Sequence, residues 1–508
     1  MLWFAQLGSN VGVWMQTVAA QWFLVEQTHN SALVAWVQTA SLLPVILLSL
    51  IAGVLADAYD RRLLLIITTG LSTIAAALLA VLAATGTLAA WSLLLMTFII
   101  GCSTALTSPA WQAIQPELVT RDEIPAAASL GSVTVNGARA IGPAIGGILV
   151  ALTGPALVFG LNALSFVGVI VALLVWKRPP VKTPGPREHL GAAMAAGLRY
   201  VRAAPIVRRI LLRSALFAFP ASALWALLPV AAQQDLGVGA SGYGLLLGVL
   251  GVGALLGVAL FPTMRAHLPS SVILAGSAVV FGVGMVAVRW WPIGVTVPLL
   301  VLAGAAWIAT LTTLNAAIQL SLAHWVRARG MSIYLLVFMG TQAAGSFLWG
   351  AIATAVGPGN VLVIAAGCLV LVAASVLVLP LRPQTGELDR QVTAYCAPEP
   401  TLIFDVQPDD GPVIVTVDYS VSDDHTALFL AAMGSVEKSR RRVGASAWTL
   451  QRNGDEPNTY REQFVSPSWS EYQRGRTERW TASDRDGYEK VVELAGAAPS
   501  ERHYFPAS

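Results

Sequence analysis

The stretch GVLADAYDRR, residues 53–62, is a charged turn enclosed by two apolar runs. Each run is long enough to cross a bilayer as a helix of about twenty residues. Gly53 permits close approach of two helices, Asp57 suits a helix end, and the basic pair Arg61 and Arg62 suits the cytoplasmic boundary of a membrane. The stretch therefore predicts a turn between two membrane helices.

The rest of the chain has the composition of a membrane protein. Only 12% of its 508 residues are charged and 56% are hydrophobic, whereas a soluble domain carries about a quarter charged residues. Long apolar runs between short turns indicate helices rather than a barrel of short strands. Twelve such runs lie near residues 2–25, 33–56, 63–85, 91–113, 127–150, 155–176, 211–232, 243–263, 271–291, 295–320, 331–355 and 360–381.

The first six runs and the last six are related as a parallel internal repeat. QAIQ at 112–115 returns as AAIQ at 316–319, and ALTGPALV at 151–158 returns as TAVGPGNV at 354–361. The chain is thus predicted to consist of an N-terminal six-helix bundle at 1–176, a cytoplasmic central loop at 177–210, a C-terminal six-helix bundle at 211–382, a linker at 383–404, a soluble α+β domain at 405–496 and a tail at 497–508.

Basic residues predict the orientation of the helices. Lys and Arg lie in the even-numbered connections and in the central loop, whereas the alternate connections hold Arg289 alone. The positive-inside rule then places those connections and both termini in the cytoplasm. The first run lacks a basic n-region and a cleavage site, so it is interpreted as a helix rather than a signal peptide. We expect a multi-pass protein of a bacterial cytoplasmic membrane.

Two predicted helices carry a polar stripe along one face. In the first helix the stripe falls within an arc of about 80°; it consists of Gln6, Asn10, Trp14, Thr17 and Gln21. The fourth helix has a stripe of similar width, formed by Thr104, Ser108, Trp111, Gln112 and Gln115. Such a stripe either packs against other helices or lines a wet cavity, and both interpretations stay open here.

Arg139 stands in the middle of the fifth run. A charge at that depth costs at least ~2.5 kcal/mol on insertion scales, so the side chain should face a cavity or a partner. Arg139 either holds an anionic group of a substrate or pairs with polar side chains of the bundle. The sequence has no nucleotide-binding P-loop, and no carboxylate stands near the centre of a predicted helix.

Two motifs resemble the major facilitator superfamily. Residues 53–62 match its loop of a glycine, three residues, an aspartate and a basic pair, which implies a role in conformational switching for Gly53, Asp57, Arg61 and Arg62. The stretch NGARAIGPAIGG, 136–147, is similar to the antiporter signature of the superfamily's exporters. The matching positions are Gly142, Pro143, Gly146 and Gly147.

More closely, the membrane part resembles the branch that contains the enterobactin exporter and macrolide efflux proteins, on runs such as GVWMQTVAAQW and SPAWQAIQPELV. That resemblance implies that helices 1, 4, 7 and 10 line a central cavity, to which Trp225, Asn315 and Gln319 would also contribute. It implies proton-coupled export of a small amphipathic molecule, such as a drug, siderophore or secondary metabolite, by alternating access. No cofactor, metal, catalytic residue or nucleic-acid partner is expected; a membrane-tethered enzyme and an uptake transporter are the alternatives.

Proton coupling leaves few candidate carriers, because only Glu26 and Asp57 stand near helix ends in a suitable context.

Beyond residue 405 the pattern changes to strand, helix, strand, strand, helix. Alternating Val413, Val415 and Val417 indicate a half-buried strand. The helix after it should turn Leu428, Phe429, Ala432, Met433 and Val436 inward. The order resembles the ferredoxin-like antibiotic-biosynthesis-monooxygenase type of domain, which implies pairing into dimers.

Overall fold

The computed structural model describes residues 2–28, 30–114, 123–176, 190–381, 393, 395, 400, 402–496 and 498–507. Within its helices the side chains at 49–50, 53–54, 56–58, 113, 124–129, 132–133, 190–196, 324 and 328 lie outside that description. Gln115 therefore falls outside the described residues. For Gly53 and Asp57 only the helical backbone is described.

Long helices make up the chain as far as residue 374. They are α1 Leu2–Thr28, α2 Ser31–Ala58, α3 Arg61–Ala84, α4 Ala90–Ile114, α5 Ile124–Thr153, α6 Pro155–Val175, α7 Leu190–Ala203, α8 Pro205–Gln234, α9 Ala240–His267, α10 Ser270–Trp290, α11 Ile293–Ser321, α12 Arg327–Val356 and α13 Pro358–Ala374. Ten of those described are long and apolar enough to cross a membrane. The chain is therefore a multi-pass, mostly helical membrane protein.

The helix ends follow from local chemistry. Asn30 caps α2 by accepting from the Ala32 amide at 2.9 Å, and Asp60 caps α3 by accepting from the Leu63 amide at 2.9 Å. Between α5 and α6 the chain turns at Gly154 with φ 79°, and between α12 and α13 it turns at Gly357 with φ 87°. Both glycines precede a proline at the first helical turn, so the two repeated sequences fold into the same kind of turn.

The chain folds into two compact units. The first comprises Met1–Thr183, Leu212–Leu314 and Leu335–Pro380, and the second comprises Pro184–Leu211, Asn315–Tyr334 and Leu381–Ser508. In the first unit one hydrophobic core contains side chains from helices throughout the region α1 to α13. Examples are Trp22, Phe159, Tyr243, Phe281 and Trp307.

The second unit contains a four-stranded antiparallel sheet of order β2-β3-β1-β4. Its strands are β1 Val413–Ser420, β2 Ala447–Arg452, β3 Thr459–Ser466 and β4 Ser500–Tyr504, and its helices are α14 Thr426–Val443, α15 Trp469–Thr477 and α16 Ala482–Ala495. The alternating valines of β1 are buried, as predicted. Leu428 is 59% exposed, so its expected inward position is wrong: it faces away from the sheet while Phe429 and Met433 are buried.

The sheet also extends further along the chain than the sequence pattern indicates. Strand β4 pairs with β1 from a segment that the pattern assigns to a terminal tail. Tyr395, in the segment assigned to a linker, packs in the same core against Trp480 at 4.8 Å between ring centroids. The short, charged sequence of β4 does not indicate a strand by itself. The strand forms because it pairs with the central strand β1.

Candidate functional site

Arg139 lies beside Trp14 because glycines bring α5 and α1 together. A Cβ added at Gly142 would lie 2.7 Å from the Cβ of Trp14, and one at Gly146 would lie 2.8 Å from the Cα of Met15. At this short separation the Arg139 guanidinium carbon is 5.5 Å from the Trp14 ring centroid. That distance is within the range of a cation–π interaction.

A row of indoles continues from Trp14 across the first unit. Trp225 of α8 lies 6.3 Å from Trp14, and Trp307 of α11 lies 5.3 Å from Trp225, between ring centroids. We call Arg139, Trp14, Trp225 and Trp307 the arginine–tryptophan cluster. The helices α1, α5, α8 and α11 contribute one residue each, so the cluster joins distant parts of the chain.

Several hydrogen-bonding groups in and beside the cluster are left without partners. Within the described part of the chain, the buried Nε of Arg139, Nε1 of Trp225, Nε1 of Trp307 and Oγ1 of Thr310 have no hydrogen-bond partner. Buried polar atoms are nearly always paired in folded proteins. These donors therefore suit a molecule that brings its own acceptor oxygens.

Two other arginines of the membrane part are bonded to helix ends. Arg62 donates to the carbonyl oxygens of Leu173 and Leu174 at 2.7 and 2.8 Å, at the end of α6. Arg213 donates to the Leu379 carbonyl at 2.9 Å, beyond the end of α13, and to the Ser375 hydroxyl at 2.9 Å. Carbonyls at a helix C-terminus lack partners within the helix, so these arginines stabilise the ends. Arg139 makes no ion pair or hydrogen bond to any described residue, so helix capping does not account for it.

The stripe on α1 has two different halves. Gln21 donates to the Trp225 carbonyl at 3.2 Å and accepts from the Tyr243 hydroxyl at 2.5 Å, so it is a packing residue. Thr17 donates to the Val13 carbonyl of its own helix at 3.0 Å. Gln6 and Asn10 are half-buried and have no hydrogen bond within the described residues. The packing interpretation of the stripe thus holds for Gln21, and cavity lining by Gln6 and Asn10 stays a prediction.

The other predicted cavity residues are less informative. Thr104 and Ser108 are exposed and donate to carbonyls of α4 itself, Trp111 is half-buried and Gln112 is exposed. Asn315 and Gln319 are exposed, bond to each other at 2.9 Å and belong to the second unit. Cavity membership of all six stays a prediction.

The antiporter-like signature on α5 forms a close helix crossing. A Cβ at Gly147 would lie 2.6 Å from the Ala240 carbonyl oxygen and 2.8 Å from the Gly244 Cα, and Gly244 in turn abuts the Pro143 carbonyl. Small residues allow backbones to touch in this way. At Gly147 and Gly244 the helices α5 and α9 therefore meet backbone to backbone.

Further contacts close the same end of the bundle, where α1 ends and α2 begins. Trp22 stacks on Tyr243 at 6.1 Å between centroids and donates to Glu26 at 2.6 Å. Trp36 of α2 stacks on Phe347 of α12 at 5.3 Å. We call this end, together with the α5–α9 crossing, the sealed end. Arg61 begins α3 at the opposite end.

The sequence pattern does not identify some residues of the site. Trp307 and Tyr243 stand in apolar runs, so no polar pattern singles them out. A buried pair in which Asn162 of α6 donates to Gln16 of α1 is missed too. Gln16 lies beside the α1 stripe rather than on it, and Asn162 is an isolated amide in an apolar run. The unusual number of tryptophans, 16 in the chain, is the one signal that could have indicated the indole row.

The soluble domain contains a buried charged network. Glu462 accepts from Arg440 at 2.9 Å, from the Tyr419 hydroxyl at 2.8 Å and from Trp448 at 2.9 Å. Burial alone would raise the pKa of Glu501, but hydrogen bonds from His503 and Tyr472 and two nearby arginines lower it to about 2. Each acid is paired with a base, which is how a folded core accommodates buried charge.

The described residues contain no group of His, Cys, Asp or Glu arranged to hold a metal ion. Comparison with solved structures gives the fold. The superposition on the nucleoside transporter NupG covers 75% of this chain and 100% of the NupG chain, with a TM-score of 0.61 and 12% sequence identity. A bacterial homolog of the human lysosomal transporter Spinster, in an inward-facing conformation, covers 74% of this chain and 94% of its own with a TM-score of 0.57 and 15% identity.

Sequence comparison gives nearer relatives. The staphyloferrin A transporter of Staphylococcus aureus (strain NCTC 8325 / PS 47) is 33% identical over 165 residues, 32% of this chain and 42% of that protein. The enterobactin exporter EntS of Shigella boydii serotype 18 is 34% identical over 189 residues, 36% of this chain and 44% of that protein. The match thus spans less than half the length of either relative. The model of the transmembrane secretion effector family matches residues 1–505. The chain therefore belongs to this family, within the major facilitator superfamily.

Proposed function

We propose that the chain is a secondary active exporter of a small, amphipathic, anionic molecule, working by alternating access. The observation that carries the proposal is the arginine–tryptophan cluster, which combines a row of indoles from α1, α8 and α11 with a cation that has no ion pair or hydrogen bond among the described residues. Names of two relatives, a staphyloferrin A transporter and an enterobactin exporter, support a siderophore-like substrate. The α5 signature supports export over uptake.

The architecture proposed for this function has twelve membrane-crossing helices in two sets of six. Helix α1, with 27 residues, and the apolar α13, with 17, would join the ten spans already described. The matching Gly-Pro turns at Gly154 and Gly357 support the repeat. The order β2-β3-β1-β4 supports a ferredoxin-like soluble domain. We propose cytoplasmic termini, with dimerisation or regulation rather than catalysis as the role of that domain.

With that orientation the sealed end is the outer face, so the structure would represent an inward-facing state. Helices α5 and α9 and helices α2 and α12 would separate when the protein opens outward. Gly53, Asp57, Arg61 and Arg62 would act at the inner face in the same transition. Among the described residues, Glu26 is the exposed carboxylate next to the seal, and its bond to Trp22 makes it our candidate proton carrier.

Substrate selection is proposed to depend on the charge of Arg139. An anion would pair with the guanidinium and accept from the indole N–H groups, while its aromatic part would stack on the rings. The cluster supplies donors that match an acidic ligand. Neutral compounds would gain only the stacking contribution.

The test is transport into energised inverted membrane vesicles, with dyes, macrolides and catecholate siderophores as compounds. Arg139→Gln is expected to reduce uptake of anionic compounds at least tenfold and of neutral ones less than twofold, while Arg139→Lys keeps part of the anionic transport. Arg265→Gln, at an exposed helix end, is the matched control and should transport normally. Equal loss for anionic and neutral compounds would assign Arg139 a structural role, and no transport of any compound by the wild type would reject the exporter.

A further inference from the structure

Three segments that are distant in the chain meet at Trp325, within the second unit. Trp325 lies in a short 3₁₀ turn, His324–Val326, between α11 and α12. The Arg479 guanidinium carbon, from the soluble domain, is 4.7 Å from a Trp325 ring centroid. Tyr200 of α7 stands edge-on to the same ring at 5.7 Å. The indole thereby joins the soluble domain to the central-loop helix and to the α11–α12 connection.

Glu471 adds an electrostatic component to this contact. It accepts from Arg199 of α7 at 3.3 Å and from Arg479 at 2.8 and 2.9 Å. Burial by itself raises the pKa of Glu471, but the hydrogen bonds and charge of Arg479, with Arg199 beside it, lower the pKa overall. The carboxylate is 6% exposed, so its ion pairs are better shielded from water than ordinary surface pairs.

The α7 helix also contacts the ends of the neighbouring membrane helices. The Tyr200 hydroxyl donates to the carbonyl of Ser321, the last residue of α11, at 3.4 Å. A Cβ added at Gly197 would lie 3.0 Å from the Cβ of Arg329 in α12. Both helices continue along the chain into apolar spans, so residues 321–329 are covalently joined to those spans.

We infer that the soluble domain docks through Arg479 and Glu471 onto α7 and Trp325, and that this docking acts as a brake on the transport cycle. The docking rests on contacts within the second unit, whereas the brake rests on the proposed function. A state that is stabilised by contacts absent from the next state is left more slowly. The soluble domain is therefore an intramolecular regulator of the helices that carry residues 321–329.

The docking is tested by hydrogen–deuterium exchange in the full-length protein. Arg199→Glu places an acid against Glu471, whereas Arg202→Glu makes the same charge change on the same helix at an exposed residue that has no ion pair in the described part. Exchange at α15 and at residues 321–329 is expected to rise at least fivefold in the first variant and to stay within twofold of wild type in the second. Equal exchange in the two variants overturns the docking.

The brake is tested with Trp325→Ala, which removes the surface for Arg479, and with Trp325→Phe, which retains a smaller ring. Transport into vesicles is expected to rise at least twofold in Trp325→Ala and less in Trp325→Phe. Increased exchange with unchanged transport overturns the brake and leaves the exporter standing. If the wild type moves no compound, the exporter and the brake both fall, while the exchange result still decides the docking.

Discussion

The backbone contact between α5 and α9 gives a sharp prediction for the substitution Gly147→Ala. The new Cβ would lie 2.6 Å from the Ala240 carbonyl oxygen and 2.8 Å from the Gly244 Cα, so the two helices must separate to admit it. Overpacking of this kind costs about 1–3 kcal/mol. In the proposed cycle that cost falls on the sealed state alone, which should reduce its population relative to the open state by about 5–150-fold.

Gly137→Ala is the matched control, because it lies on the same helix and nothing is within 4 Å of its added Cβ. Spin labels at Gln27→Cys and Val295→Cys, both exposed at the sealed end, would report the separation by double electron–electron resonance after replacement of the native cysteines. We expect a longer distance to become dominant in Gly147→Ala and the wild-type distance to persist in Gly137→Ala. Identical distance distributions in the two variants would refute the assignment of this crossing to the seal.

Two further substitutions test polar groups that are buried in different ways. Thr310→Val removes a hydroxyl that has no partner in the described part of the chain, so it should keep or raise Tm while lowering transport of anionic compounds; Thr313→Val, which loses a hydrogen bond to Ala309, should lower Tm and leave selectivity unchanged. Because the folded pKa of Glu501, about 2, is below its usual 4.5, the ionised group stabilises the fold above pH 4.5, and that contribution is lost as the pH falls towards 2. Glu501→Gln should therefore reduce the free energy of unfolding at pH 7 by ~3 kcal/mol and flatten its decline in acid, measured by chemical denaturation, while the exposed Glu493→Gln should change neither.

The ten apolar spans of the membrane part could be predicted because each is encoded locally. An apolar run of about twenty residues leaves a chain in a bilayer little choice but to form a helix, and Asn30, Asp60 and the Gly-Pro pairs mark several of the ends. Arg139 could be singled out for a similar reason, since one charge in an apolar run stands out in any sequence. These features need no knowledge of what packs against them.

The partners of those residues could not be predicted, because they depend on helices that are far apart in the chain. Tyr243 lies 222 positions from Gln21, and an aromatic residue in an apolar run looks the same whether it faces lipid or another helix. Strand β4 was missed because its register is set by β1, through pairs such as Asp418 with Ser500 that join distant parts of the chain. The partner of Gln21 and the position of β4 were therefore decided by long-range contacts, which the sequence pattern does not show.

The divided stripe on α1 connects packing with the proposed cycle. Gln21 is bonded to Trp225 of α8 and Tyr243 of α9, while Gln6 and Asn10, toward the other end of the helix, have no hydrogen bond among the described residues. A stripe used only as interhelical glue should be paired along its whole length, since each unpaired amide in a membrane interior is costly. A stripe that lines a path open at one end should be paired only where the path is closed. We propose the second pattern for α1, and it predicts that outward opening frees Gln21 and brings Gln6 and Asn10 into contact with helices of the region α8 to α13.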